Sequence, residues 1–156
     1  MDDNELTKIL IKHIKWLSNE EGGEKAIVFG ADLTGLNRRQ TIFKKTAFPN
    51  AIFKNADLRG ANFIDANFEG ANFTKADLIW GDFEGTNLKN ANFSDANLKY
   101  ANFEKANLEG AVFTGADLTE AKLGGAKLKG ADFTGATLTD IDTEGADLKG
   151  AKGIKI

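Results

Sequence analysis

ADLRG-ANFID-ANFEG-ANFTK, residues 56–75, repeats one pattern four times, with Ala first, Asp or Asn second, and Leu or Phe third. The same frame runs from Ala31 to Gly150 as 24 consecutive units without insertion or deletion. The third residue is Leu or Phe in 22 of these units, and the exceptions are Arg38 and Thr143. A period of five fits neither an α-helix nor a long strand, whereas the alternation inside each unit is that of a strand. Each unit therefore predicts a very short extended segment followed by a turn.

A second period, of 20 residues, lies within the first. Every fourth unit carries the same central residue over much of the chain, and two such series are Phe53, Phe73, Phe93, Phe113, Phe133 and Leu58, Leu78, Leu98, Leu118, Leu138. If four units make one turn of a coil, residues 20 apart stack about 4.8 Å from one another, as in a sheet ladder. The 24 units then predict about six coils and a rod about 29 Å long.

The five places of a unit predict different environments. A narrow coil has room inside for the central Leu or Phe beside a small Ala, so we expect these two places to form the core. Asp or Asn at the second place can bond nearby backbone groups at a corner, and Gly at the fifth place has permissive backbone angles. The many carboxylates and amides are therefore interpreted as structural, rather than as metal ligands or catalytic acids.

The units A(D/N)(L/F)XX resemble those of pentapeptide-repeat proteins, and the resemblance covers residues 31–150, about three-quarters of the chain. It implies an all-β solenoid, namely a right-handed quadrilateral β-helix with the central Leu or Phe and the Ala pointing inward. Members of this family differ widely in function, so the resemblance by itself implies no single activity.

The N-terminal segment predicts a lid for one end of the coil, where apolar residues and strand edges would otherwise be exposed. Asp2 with Glu5 predicts a capping box, and the pair Gly22 and Gly23 predicts a stop. Between them lies one apolar face of an amphipathic helix, formed by Leu6, Ile9, Leu10, His13, Ile14 and Leu17. The histidine is the only one in the chain, and its place in this stripe favours a packing role over that of a ligand or base.

These features divide the chain into a capping helix with its linker at 1–25, a β-helix of about six coils at 26–150, and a tail at 151–156. Val28 and Phe29 are expected to bridge the lid and the first coil. Because Arg38 occupies an inward place, we expect it either to reach a carboxylate or helix C-terminus under the lid or to mark a local distortion of the first coil.

The C-terminal coil carries weaker core residues than the others, and no second helix follows it. Either the tail folds over this end or two molecules meet there, because an open edge must be covered. Some relatives in the family that the repeats resemble dimerise end to end, which makes a homodimer a candidate. The residues proposed for these contacts are Leu148, Ile154 and Ile156.

Composition argues against several classes of function. The chain has no Cys and one His, with no phosphate-binding loop or metal-ligand spacing, so we expect no enzyme, no catalytic residue, no cofactor and no metal site. The formal net charge is −3, from 20 basic and 23 acidic residues, which favours neither nucleic acid nor a membrane as partner. The N-terminus lacks the pattern of a signal peptide and no apolar run approaches the length of a membrane span, so a cytoplasmic protein is expected.

One face of the predicted rod carries an aromatic and basic cluster. In the unit ADLIW, Ile79 and Trp80 replace residues that are small or polar in most other units, and Tyr100 follows Trp80 by 20 residues. We expect the two rings to stack on adjacent coils, with Arg59 and Lys99 flanking them. Because Trp, Tyr and Arg dominate the energetics of interfaces, these five residues form the candidate protein-interaction patch. The alternative is that the two rings merely pack on each other.

The sequence therefore predicts a rigid, non-enzymatic scaffold for protein binding or regulation, with a partner that it does not identify; a plain spacer or assembly unit is the simplest alternative. The family resemblance implies a further alternative, a DNA mimic that binds a type II topoisomerase and protects it from quinolones. The chain departs from that pattern because lysines interrupt its acidic columns and its frame has no loop insertion.

Overall fold

A computed structural model describes residues 1–155 as a helix followed by a β-solenoid. Helix α1 spans Asp3–Leu17. Beyond it, the second residue of each unit forms an isolated parallel β-bridge with the residue 20 positions later, from Ile27↔Ala47 to Asp132↔Lys152. Four units with a turn after each make up the 20 residues, so every coil has four sides. These bridges are single residue pairs, and no longer strand is formed within residues 1–155.

A tight turn closes each unit. In most units the N–H of the following residue donates to the C=O of the central residue, as from Ala56 to Phe53 at 3.1 Å. The fifth-place residue, which comes just before the donor, has a left-handed φ between 53° and 72° in every unit from Gly35 to Gly150. A positive φ at this position is what a type II turn requires, and Gly and Asn adopt it most readily. This requirement explains the fifth-place preference of the repeat.

The second-place side chains support the same turns. Asn72 Oδ1 accepts from both the N–H of Thr74, at 2.9 Å, and its hydroxyl, at 2.6 Å. Asp132 accepts in the same way from Thr134, and these two hydrogen bonds hold the pKa of Asp132 below its usual value. Asp and Asn therefore recur at this place because their side-chain oxygen satisfies a backbone N–H at the corner.

The core is a continuous stack of aromatic and aliphatic side chains. Phe93 lies between Phe73 and Phe113, with ring centroids 5.0 and 5.1 Å away and planes within 4° of parallel. Its edges meet Phe83 and Phe103 at 5.9 and 5.7 Å. All five rings are fully buried, so the predicted inward direction of the third place is what the structure shows.

The only Gly at the first place of a unit has a packing cause. A Cβ added to Gly81 would lie 2.9 Å from Cε2 of Phe83 and 3.0 Å from the carbonyl oxygen of Leu78. The Phe83 ring is also close to Phe63, at a centroid distance of 4.4 Å. The ring thus fills the volume that Ala occupies in most other units, and an Ala at this position would overpack the core.

Helix α1 packs on the first coil through a narrow face. Leu6 and Leu10 are buried in the same apolar cluster as Phe43, and the Asp2 carboxylate accepts from the Glu5 N–H at 2.8 Å. Ile14, which the sequence stripe places on this face, is 44% exposed. The buried face of the helix is therefore narrower than the apolar stripe predicts. The helix ends at Leu17, five residues before the first of the two glycines.

His13 joins three segments of the chain rather than only filling space. It is fully buried, and its Nδ1 accepts from the N–H of Ala26 at 3.1 Å. The proton of the neutral ring therefore lies on Nε2, which donates to the C=O of Lys44 at 2.7 Å. The ring connects α1, the linker and the first coil.

Arg38 also fastens the helix to the coil. Its Nε donates to the carboxylate of Asp3 at 2.6 Å, and its Nη2 donates to the C=O of Asp3 at 3.0 Å and to the Thr7 hydroxyl. Its backbone N–H still donates to the C=O of Asp57 at 2.8 Å, so the ladder continues unbroken. Of the two expectations for Arg38, reaching a carboxylate under the helix is correct, and the first coil is not distorted there.

Phe29 corrects the expected bridge between helix and coil. The repeat frame begins one unit earlier than Ala31, with Val28 at the central place and Phe29 at the outward fourth place. Val28 packs partly against the core, whereas Phe29 is 75% exposed. Only Val28 therefore has the expected role.

The chain continues the coil past residue 150. Lys152 bridges Asp132, and its C=O accepts from the N–H of Phe133 at 2.8 Å. Gly153 lies so close to this strand that an added Cβ would be 2.5 Å from the carbonyl carbon of Phe133. Ile154 packs partly against the core, and Ile156 lies outside the described residues.

Candidate protein-interaction face

The structure brings the two outward aromatic rings together. The bridge Asp77↔Asn97 sets the register of two successive coils and places Trp80 beside Tyr100. Their ring centroids are 4.3 Å apart and their planes differ by 11°, which is a stacked pair. Trp80 remains 64% exposed. Among the large apolar side chains of residues 1–155, only Phe29 is more exposed. We call the outward surface formed by the second, fourth and fifth places of the units 36–40, 56–60, 76–80, 96–100 and 116–120 the Trp80 face.

Both rings sit at turn positions that favour glycine. Trp80 and Tyr100 each have a φ of 60°. Placing a side chain at such a position costs about 1 kcal/mol relative to glycine, which the stacking of the rings offsets by about 0.5–1.5 kcal/mol. Because every fifth place of the repeat takes this φ, the backbone here is ordinary for the fold. The distinguishing feature is the size and exposure of the two side chains.

The basic residues of the candidate patch are paired with carboxylates. Arg59 donates from Nε and Nη2 to the two oxygens of Asp57, at 2.9 and 2.7 Å, and its Nε lies 3.3 Å from Asp77. Lys99 lies 3.2 Å from a carboxylate oxygen of Asp117. The expected basic flank of the aromatic pair is therefore a set of ion pairs.

Arg39 is a further member of this network. Its Nε donates to Asp57 at 2.8 Å, so Asp57 holds two guanidinium groups at once. The side chain of Arg39 is 57% exposed, whereas that of Asp57 is 22% exposed. The carboxylate of Asp57 is therefore less accessible than the guanidinium group of Arg39. The more exposed charges around Asp57 are thus cationic, although the charges of the face balance.

The pKa values of Asp77 and Asp117, which lie two coils apart on this face, are shifted in opposite directions. Burial raises the pKa of Asp77, opposed by the hydrogen bond from the N–H of Ile79 and supported by the nearby charge of Asp57. Burial also acts to raise the pKa of Asp117, but hydrogen bonds from Thr119 and the ammonium of Lys99 outweigh it, so this pKa is lowered. The two carboxyl groups thus differ in their hydrogen bonds and charged neighbours, not in the direction in which burial acts.

A shallow groove runs along the Trp80 face beside the aromatic pair. It has a volume of about 570 Å³, and its walls are Arg39, Gln40, Arg59, Gly60, Ile79 and Trp80. The candidate patch named from the sequence omits Arg39, Gln40 and Gly60. The 20-residue period provides a signal for them, because it places Arg39 in one column with Arg59 and Ile79, and Gln40 and Gly60 in another with Trp80 and Tyr100.

Two other kinds of site are absent from residues 1–155. No group of three or more His, Asp or Glu side chains is arranged to hold a metal ion. Over the same residues, no helix has the length and apolar character that a membrane crossing requires.

Several solved structures are similar to the chain. HetL, a pentapeptide repeat protein involved in heterocyst differentiation regulation from the cyanobacterium Nostoc sp. strain PCC 7120, is 18% identical, with 97% of this chain and 94% of that chain covered and a TM-score of 0.45. A pentapeptide repeat protein from the Arabidopsis thaliana thylakoid lumen is 33% identical, covering 64% and 66%, with a TM-score of 0.32. QnrB1, a plasmid-mediated fluoroquinolone resistance protein, is 26% identical, covering 80% and 78%, with a TM-score of 0.28.

No curated protein matches the chain significantly. The model of the family described as "Pentapeptide repeats (8 copies)" matches the chain three times, over residues 51–90, 91–130 and 126–152. These matches cover more than half of the chain and follow the five-residue frame seen in both sequence and structure. The chain therefore belongs to the pentapeptide-repeat family.

Proposed function

We propose that the protein is a non-enzymatic scaffold of the cytoplasm that binds a protein partner through its Trp80 face. Its body is a right-handed quadrilateral β-helix of six coils, closed at the N-terminal end by α1. The observation that carries the proposal is the exposed stack of Trp80 on Tyr100.

The form of this face suits protein recognition. Trp and Tyr are the residues most often found at the energetic centre of interfaces. Here the two rings are held by a turn and by each other, so little side-chain entropy is lost when a partner binds. The ion pairs of Arg39, Arg59 and Lys99 surround them as a polar rim would.

The charges of this face do not favour the DNA-mimic alternative. A mimic of DNA needs unpaired carboxylates in rows, because it must present the field of a phosphate backbone. On the Trp80 face Asp57, Asp77 and Asp117 each lie against an Arg or Lys side chain. Protein recognition through aromatic side chains therefore remains the better-supported function.

Replacing both rings, Trp80→Ala with Tyr100→Ala, is expected to abolish capture of the partner while leaving the fold in place. The double variant removes outward side chains only, and each turn keeps its backbone hydrogen bonds. The measurement is quantitative mass spectrometry of proteins captured from an extract of the source cell, together with thermal unfolding followed by circular dichroism. Phe29→Ala is the matched control, because it removes another exposed ring from the opposite side of the four-sided rod. Unfolding of the double variant would instead assign the pair a structural role.

We propose in addition that two molecules associate end to end through the last coil. The backbone N–H groups of Leu138, Thr143 and Leu148 find no acceptor within residues 1–155, although those of the preceding coils do. Leu148 and Ile154 are only partly buried at this end. An unpaired edge with apolar side chains favours association.

Light scattering after size-exclusion chromatography is expected to give twice the chain mass for the wild type and the mass of one chain for Leu148→Lys. A charge at this edge opposes close contact of two apolar ends. Ile11→Lys makes a similar change on an exposed residue of α1 at the other end of the rod, and it is expected to leave the dimer intact. A wild-type mass of one chain at all concentrations would rule out the association.

A further inference from the structure

The column that contains the aromatic pair has a gap. Gln40, Gly60, Trp80 and Tyr100 occupy fifth places on four successive coils. Tyr100 covers one face of the Trp80 ring, and the coil on the other side contributes Gly60, which has no side chain. The gap opens into the groove described above. The Trp80 ring thus has one covered face and one free face.

The size of the gap suits one planar group. Gln40 and Trp80 are two coils apart, a distance of about 9.6 Å along the rod. Stacked rings need about 3.5 Å between their planes, so one ring fits between these two side chains. Gln40 forms the far wall, because its Cγ lies 3.4 Å from the position of a Cβ at Gly60. A ring in this gap would continue the column of Trp80 and Tyr100 by one step.

The charges around the gap favour a particular kind of residue next to a ring that enters it. Arg39 uses only its Nε toward Asp57, and its other N–H groups have no acceptor within residues 1–155. Its guanidinium group is also the most exposed charge of the groove wall. Spare donors at this position complement a carboxylate, which pairs with guanidinium through charge-assisted hydrogen bonds.

We propose that this gap, the Gly60 slot, receives an aromatic side chain of the partner protein, with an acidic residue next to it in the partner sequence. The ring stacks on the free face of Trp80, and the carboxylate binds the outer N–H groups of Arg39. This inference rests on the proposed function and specifies the chemistry of the partner segment.

Two features favour a peptide over a single-stranded nucleic acid, whose bases also stack on aromatic rings. Asp57 and Asp77 lie within 3.3 Å of the guanidinium group of Arg59, and their negative charges would repel a phosphate backbone. The chain as a whole carries a formal net charge of −3. A partner with one or two carboxylates meets less repulsion than a strand with a phosphate at every nucleotide.

The direct test uses Trp80 as its own reporter. Trp16→Phe leaves Trp80 as the only tryptophan, since the chain has two. Its emission is titrated with a blocked peptide in which Phe lies between two Glu residues. Matched peptides replace Phe by Leu or both Glu by Lys, and single-stranded oligothymidine forms a separate arm. Saturable quenching by the Glu-Phe-Glu peptide is expected, with binding about tenfold weaker when the ring is lost, as for a stack contributing about 1.4 kcal/mol.

A variant that fills the slot provides the second test. Gly60→Tyr places a ring where Trp80 and Tyr100 already accept one, at a similar φ, so the variant is expected to fold. It should lose binding of the Glu-Phe-Glu peptide and capture of the partner. Gly130→Tyr is the matched control, because its φ is 69° and a Cβ there meets no atom within 4 Å. This control should bind as the parent chain does.

Three results would overturn the slot. These are equal binding of the Phe and Leu peptides, undiminished binding by Gly60→Tyr, and quenching by oligothymidine in place of the peptide. The proposed function fails separately. If the variant lacking both Trp80 and Tyr100 rings still captures the partner, the face itself is not the binding site. If that variant loses capture while Gly60→Tyr retains it, the face binds a partner without using the slot.

Discussion

Phe93→Ala is expected to lower the free energy of unfolding by about 3–5 kcal/mol. The ring is fully buried and packed on both faces by Phe73 and Phe113. In a solenoid each coil contacts only its neighbours, and the bridges fix the spacing of the coils. The surrounding side chains therefore cannot collapse into the space that the ring leaves, and the cavity lowers the stability by its full amount. Urea unfolding followed by far-ultraviolet circular dichroism measures this loss.

Phe29→Ala is the control for this change. It removes the same side chain from an outward place, where the ring is exposed. Its expected effect is within about 0.5 kcal/mol of zero. Equal losses for the two variants would mean that the inward and outward places of the repeat are assigned wrongly.

His13→Leu is expected to destabilise the junction between α1 and the first coil by about 2–5 kcal/mol. Leu has a comparable volume but neither accepts from Ala26 nor donates to Lys44. Both backbone groups then remain in a buried place without a partner. Amide hydrogen exchange at Ala26, combined with urea unfolding, measures the effect. The exchange rate reports the junction itself, since a repeat protein can open at one end while the remaining coils stay folded.

Ile14→Ala is the comparison within the same helix. Ile14 is exposed, so its truncation is expected to change stability by no more than a few tenths of a kcal/mol plus a small gain in helix propensity. If His13→Leu proves as mild as Ile14→Ala, the two hydrogen bonds of the imidazole do not hold the junction together.

Much of the solenoid can be predicted from the sequence because its five-residue and 20-residue periods run without interruption. The five-residue frame identifies which side chains enter the core, and the 20-residue period places Trp80 beside Tyr100 before any coordinates are known. The family assignment, made from the repeated units alone, is confirmed by the family model. A repeat with no insertions leaves little freedom in register, so a position along the chain corresponds directly to a position on the rod.

The remaining features depend on choices that the periods do not encode. The pairing of Arg59 with Asp57 and Asp77 follows from side-chain rotamers, so the sequence alone predicts a basic flank for the aromatic pair rather than ion pairs. The outward place of Phe29 is not evident from the periods, because the first unit, AIVFG, departs from the repeat and hides the start of the frame. The two hydrogen bonds of His13 arise only when helix, linker and coil meet. Whether the Trp80 face and the C-terminal edge bind partners stays a prediction.

The uniform turn has a consequence for how such a rod can change over time. Fifth-place residues as different as Gly60, Lys75, Trp80 and Asp95 share nearly the same φ. The coil-to-coil hydrogen bonds therefore set the backbone here, whatever side chain is present. Outward residues can be substituted one at a time while the backbone stays the same. New binding specificity can therefore evolve through variants that all still fold. The backbone of the solenoid is thus conserved as a unit, while single outward residues are free to change.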